Sequence, residues 1–156
     1  MKPDEIALSY FNNGYNCAES VLMAVGESLH LNGFHPQRLA TAFGAGIARQ
    51  GQVCGCLTGA AMAASLAVGR VDGSDQDSKE LVYEVVGRIF DRFSERLHTI
   101  ECRQLTGVDF TRKESVRDEL TKIHKDICCP LVTYVTMLAI AELQASQLPK
   151  GSLSST

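Results

Sequence analysis

Tryptophan is absent from this chain, and aromatic residues make up only 6% of it. Stacking platforms for nucleic-acid bases therefore have little to be built from. Charge of one sign is also missing. The formal net charge is −3, with acidic and basic residues interspersed. The densest basic cluster, Arg112, Lys113 and Arg117, is interrupted by Glu114. No nucleic-acid partner is expected from such a surface. No apolar run reaches membrane-spanning length: the longest, Leu131 to Ala141, is broken by Thr133 and Thr136. The opening MKPDEIALSY has no signal-peptide core. These features lead us to expect a cytoplasmic protein that does not insert into membranes. Period-two alternation is lacking too, so strands are not expected.

Several chemical signatures are missing as well. There is no CxxC, no CxxCH for covalent haem and no HExxH. The run GAGIARQG (Gly44 to Gly51) lacks a preceding strand and a Lys-Ser/Thr pair, so it is not a phosphate loop. His30, His35, His98 and His124 have no i, i+4 histidine partner and read as surface residues.

What the sequence has is six cysteines: Cys17, Cys54, Cys56, Cys102, Cys128 and Cys129. Helical periodicity places them. Pro3 starts a first helix with Ile6, Ala7, Tyr10 and Phe11 on its apolar face. Asn16 is an N-cap that puts Cys17 at the first position of a second helix, whose stripe is Val21, Leu22, Val25 and Leu29 and which Asn32-Gly33 ends. A third helix begins near Pro36 and carries Leu39, Ala42 and Phe43. The fourth, about 53–68, is almost entirely small or apolar. Its Gly55, Gly59, Ala63 and Ala67 recur every four residues, so it should be the central buried helix. A long amphipathic helix follows from about Ser78 to Leu97, and a short turn carries Cys102. Thr111 and Glu114 match a capping box for a helix of about 112–124. A sharp joint at 126–130 leads into a last helix to about Ala145. The expectation is all-α: one helical bundle over 1–147 around the Gly/Ala-rich helix, and a disordered tail, 148–156.

Cys17, Cys54, Cys102 and Cys129 each lie where a helix begins or a turn leads into one. Helix starts carry unpaired N–H groups and a positive dipole end, which favour thiolate. Converged thiolates repel one another unless a metal, a cluster or disulfide pairing compensates. In a reducing compartment this points to redox or metal chemistry rather than structural disulfides. Cys56 is two residues from Cys54, about 200° around a helix, so the two should not share a site and Cys54 should face inward. Cys56 and Cys128 are accessory thiols on this reading. Gly55 and Gly59 allow close approach, and Arg49 can bring positive charge to the Cys54 region.

Gly14-Tyr15-Asn16-Cys17-Ala18, Cys54-Gly55-Cys56-Leu57-Thr58-Gly59, Cys102-Arg103-Gln104-Leu105 and Cys129-Pro130 occur in that order. Across about residues 4 to 145 the chain resembles the redox-active C_GCAxxG_C_C family of bacteria and archaea. Cys56 stands where that pattern usually has alanine, and Cys128 is additional. The family is similar to a cysteine-bearing domain of split-Soret cytochromes, for which an iron–sulfur centre has been inferred. The resemblance implies a small redox protein serving a redox partner. The leading expectation is electron transfer through a [2Fe–2S] cluster held by Cys17, Cys54, Cys102 and Cys129; the alternatives are thiol–disulfide exchange without metal and a structural zinc site in an interaction scaffold. The small-residue helix face is also compatible with a homodimer.

Overall fold

The computed structural model describes residues 1–31, 35–112 and 117–147. The Asn32-Gly33 stop, Glu114 of the capping box and the 148–156 tail lie outside the described residues. Among the described residues the protein is helical without a strand, as the periodicity predicts.

Helix α1 (Pro3–Asn12) starts on Pro3 and buries Ala7. Helix α2 (Cys17–Ser28) begins as expected at Asn16. Asn16 Oδ1 accepts from the N–H groups of Ala18 and Glu19, both at 3.0 Å, and Glu19 Oε2 accepts from Asn16 N–H at 2.8 Å. This reciprocal cap satisfies donors that the helix start would otherwise leave unpaired. Helix α4 (Gly55–Val68) is central. Its most extensive contact is with α2, and it also packs on α5 (Gln76–Leu97) and α8 (Cys129–Ser146). The reason lies in its glycines. A Cβ on Gly59 would overlap the Ala18 carbonyl oxygen and approach Ala18 Cα to 3.0 Å, so only glycine lets α2 come this close. Ala60, Ala63 and Ala64 are fully buried along the same helix.

Two local expectations differ from the structure. The third helix is only one turn, α3 (Gln37–Ala40), followed by a 3-10 turn at Thr41–Phe43. Ala40 is its buried residue, and Leu39 points outward. The helix stops because the chain reverses into a left-handed turn at 45–49. The joint before α8 is not a break. Helix α7 (Arg117–Ile123) passes through a π-helical turn, His124–Cys128, straight into α8. The Cys129 N–H bonds to the His124 carbonyl, five residues back, so one extra residue is accommodated in the rod. The resulting helix, Glu119–Ser146, is long and apolar enough to cross a membrane by length and composition, and half of its most apolar window is buried in the bundle. Glu142 on α8 is buried and accepts from Arg88 and Arg92 of α5 at 2.7 and 3.0 Å, which fixes the register of these two helices.

Candidate functional site

The link between Cys54 and Cys102 is made by backbone, not by helix packing. Residues 51–54 run antiparallel to 100–103. Cys54 N–H bonds to Ile100 O at 2.8 Å, Cys102 N–H to Gln52 O at 2.7 Å and Arg103 N–H to Gly51 O at 3.0 Å, around an isolated bridge between Val53 and Glu101. Helix α6 (Cys102–Thr106) and helix α4 then leave this clasp with Cys102 as first residue and Cys54 as N-cap. Cys17, at the start of α2, meets them because α2 and α4 pack so closely: a Cβ on Gly55 would overlap its sulfur.

The thiols interact as a chain. The Cys56 thiol is close enough to those of Cys17 and Cys54 for both to raise its proton affinity. The geometric expectation that Cys54 and Cys56 point apart does not hold. Cys54 has φ −53° and ψ 129°, outside the helix, so the 100° per residue rule does not relate it to Cys56. Both are buried. Cys102 feels the charges of Cys54 and Cys17, and Cys128 those of Cys17, Cys102, Cys54 and Cys129. Cys129 is placed differently. Its Sγ lies 4.0 Å from Asn12 Oδ1 on α1, an atom also 3.1 Å from His124 Nε2. As consecutive residues on a helical backbone, Cys128 and Cys129 point about 100° apart. His124, read from sequence as a surface residue, stacks on Phe11 with ring centroids 4.1 Å apart. All six cysteines are free thiols.

Their proton affinities diverge. Cys17 is lowered to about 7, chiefly by the hydrogen bond from Cys56, against the opposing effect of burial. The N–H groups of Ala45, Ala18 and Cys17 itself lower it further. Cys56 is raised well above the ordinary thiol value, first by its bonds to Cys17 and Cys54. Burial pushes Cys102 and Cys128 up to about 12, and it raises Cys129. Cys17 therefore favours the thiolate while Cys56, Cys102 and Cys128 stay protonated. Among the described residues, no group of three or more His, Cys, Asp or Glu side chains is disposed to hold a metal ion.

The Ala45 amide belongs to an unusual turn. Ala45, Gly46, Ile47, Ala48 and Arg49 all have positive φ, at 52°, 68°, 64°, 48° and 68°. This conformation costs about 1–2 kcal/mol for each non-glycine residue. The turn is held by Ala48 N–H to Ala42 O (2.7 Å), Gly51 N–H to Ala45 O (3.2 Å) and Gln52 N–H to Gly46 O (2.9 Å). It is pinned to the start of α2, where Asn16 Nδ2 donates to Thr41 O at 3.0 Å and Thr41 Oγ1 donates to Glu19 Oε1 at 2.6 Å. Gly46 is needed for space as well as φ, because a Cβ there would lie 2.8 Å from Cys102 Cβ. Sequence reasoning missed this turn, since its Ala, Ile and Arg residues carry no left-handed signal. Arg49 is exposed at its end and lines a cavity of about 350 Å3 with Asn16, Thr41, Ala42, Gly44, Ala45 and Ala48.

A model of the family described as "Putative redox-active protein (C_GCAxxG_C_C)" matches residues 15–143. No curated protein and no solved structure matches the chain.

Proposed function

The chain belongs to this redox-active family, and from that premise we propose that it is a thiol–disulfide redox protein in which Cys17 attacks and Cys56 resolves. The observation that carries this reading is the packing of the Cys17 sulfur against the start of α4, beside a Cys56 thiol that stays protonated while that of Cys17 is lowered. A thiol with a pKa near ambient pH is the best attacking group, because it combines a useful thiolate fraction with nucleophilicity. In the first step Cys17 Sγ⁻ bonds to one sulfur of a substrate disulfide, and the electron pair leaves with the other. The proton of Cys56 neutralises the departing thiolate. Cys56, now a thiolate, then attacks the Cys17 sulfur and releases the second substrate thiolate, which takes from solvent the proton that Cys17 had given up. Two protein thiols are oxidised to one disulfide, and one substrate disulfide is reduced to two thiols. Run in reverse, the same exchange oxidises a dithiol partner. On this reading Cys54, near Cys56, rearranges the product, and Cys102 and Cys128 supply further reducing equivalents.

A [2Fe–2S] cluster is the second reading. It is favoured by the donor set, in which Cys17, Cys54, Cys56, Cys102 and Cys128 are soft ligands within one region and backbone N–H groups point at Cys17. It requires the thiols to move from their present arrangement, in which no three of the described ligand residues are disposed to hold a metal. Zinc in a scaffold would require the same, without a redox response. The proposed setting is a cytoplasm, with a redox partner and neither nucleic acid nor membrane insertion. Anaerobic purification followed by iron and zinc analysis and thiol counting before and after oxidation tests the assignment. Metal-free protein that loses two thiols reversibly supports the exchange reading. Stoichiometric iron with visible absorption replaces it with the cluster.

A further inference from the structure

Helix α4 has no charged residue between Val53 and Gly69. A helix apolar on every side needs cover on every side. Its Gly55 and Gly59 face is covered by α2. Another side is not: Thr58, Ala61 and Met62 are only half-buried, and Ser65 and Leu66 are exposed. Helix α5, packed on α4, adds Val82, Val86 and Phe90, all half-buried, and Tyr83, which is 63% exposed.

Gly87 stands in the middle of α5, where glycine weakens a helix more than any residue but proline. Nothing lies within 4 Å of the place its Cβ would take, so no contact within the chain calls for it. Gly55 and Gly59 differ, since α2 fills the space beside them. Lys79, Tyr83, Gly87 and Asp91 follow one another along a four-residue ridge of α5. The Lys79 ammonium lies 5.3 Å from the centre of the Tyr83 ring and touches Glu80 at 3.5 Å, an exposed pair of little worth. Asp91 is exposed and makes no ion pair among the described residues.

This ridge is complementary to itself. Let two copies of α5 cross antiparallel about a two-fold axis halfway between Tyr83 and Gly87. Each Tyr83 ring then enters the notch over Gly87 of the other copy, and each Lys79 meets Asp91 of the other copy. Two-fold interfaces are built from such reciprocal pairs. We propose that the α4–α5 surface is the interface between two copies of this chain, with Tyr83 on Gly87 at the centre of the α5 contact and Lys79 on Asp91 at its ends. The open side of α4, with Met62 and Leu66, is covered in the same contact. That side offers a charged partner nothing to pair with, whereas a second copy brings a matching apolar surface. The two helices present a face about 20 Å wide and 20–30 Å long, at the small end for a stable dimer. None of the pairing residues is a cysteine, so the interface stands independently of the thiol chemistry.

Sedimentation equilibrium of the full-length protein tests this, with reductant present so that no intermolecular disulfide counts. The parent should sediment at twice the 16.9 kDa of the chain. Filling the notch in Gly87→Gln should raise the dissociation constant about tenfold or more. Glutamine is the better helix former, so the same change should strengthen the separate chain. Lys79→Glu and Asp91→Lys should each weaken the dimer by bringing like charges together. Mixed one to one, these two variants should associate as tightly as the parent, because each introduced charge then faces its opposite across the axis. A parent that stays monomeric up to its solubility limit overturns the proposal. A dimer that Gly87→Gln and both charge reversals leave unchanged overturns the placement of the interface. Single variants that weaken the dimer without recovery on mixing overturn the antiparallel pairing.

Discussion

Gly55 opens α4 directly against the Cys17 sulfur at the head of α2, with room for a hydrogen but not for a methyl group. Packing and chemistry meet at that contact. Gly55→Ala must push aside both the Cys17 thiol and the Phe43 carbonyl, 2.9 Å from the new Cβ. The expected cost is about 1–3 kcal/mol of stability, measured by urea denaturation of the reduced protein. An unchanged midpoint would contradict the close approach of α2 and α4.

The reactivity of Cys17 should depend on its neighbour. Removing the Cys56 donor takes away the largest effect that lowers the Cys17 pKa. The pH profile of Cys17 alkylation should therefore turn at about 7 in the parent and move toward the ordinary value near 9 in Cys56→Ala. At pH 7 the variant should react more slowly. A profile that moves down in pH would reverse the assignment of donor and acceptor.

Stability should respond to pH in two windows. The Cys17 pKa is lowered on folding, so its contribution is present above pH 9 and is lost as pH falls toward 7. Cys102 and Cys128 are raised, so theirs is complete below pH 9 and is lost as pH rises toward 12. Denaturant midpoints should fall between pH 9 and 11, and replacing Cys128 with alanine should flatten that fall. A midpoint that keeps rising over this range would show that these thiols are not buried in the neutral form.

The left-handed turn predicts a substitution to glycine that helps. Ala48 is exposed with φ 48°, so Ala48→Gly relieves backbone strain while removing little packing. A gain of about 0.5–1 kcal/mol is expected. The same change at Ala61, inside α4, should cost about 1 kcal/mol. Equal losses at both positions would be inconsistent with a left-handed conformation at 48.

The features legible in the sequence were those set by local rules. Asn16 and Pro3 fix helix starts whatever the rest of the chain does, and the Gly55, Gly59 and Ala63 spacing marks a face that must be approached closely. The juxtaposition of Cys54 and Cys102 was legible only as a shared setting, because the antiparallel clasp that joins them is a pairing of two short irregular segments. The geometry of Cys56 was misjudged because helical angles were applied to Cys54, a cap residue with extended backbone. Which of Cys128 and Cys129 meets the other thiols depends on what packs against each, as Asn12 of α1 does against Cys129, and no periodicity announces that. The turn at 45–49 is the extreme case: tertiary hydrogen bonds impose a conformation that Ala45, Ile47, Ala48 and Arg49 disfavour intrinsically.

The central claim is that Cys17 and Cys56 form the redox couple, and disulfide mapping addresses it most directly. Reduced protein is equilibrated with a graded thiol–disulfide buffer, trapped by alkylation in acid, digested without reduction and sequenced by tandem mass spectrometry, with fragmentation between Cys54 and Cys56 to tell them apart. The account predicts that the first disulfide to appear joins Cys17 to Cys56. A first disulfide that excludes Cys17, such as one joining Cys128 to Cys129, would contradict it.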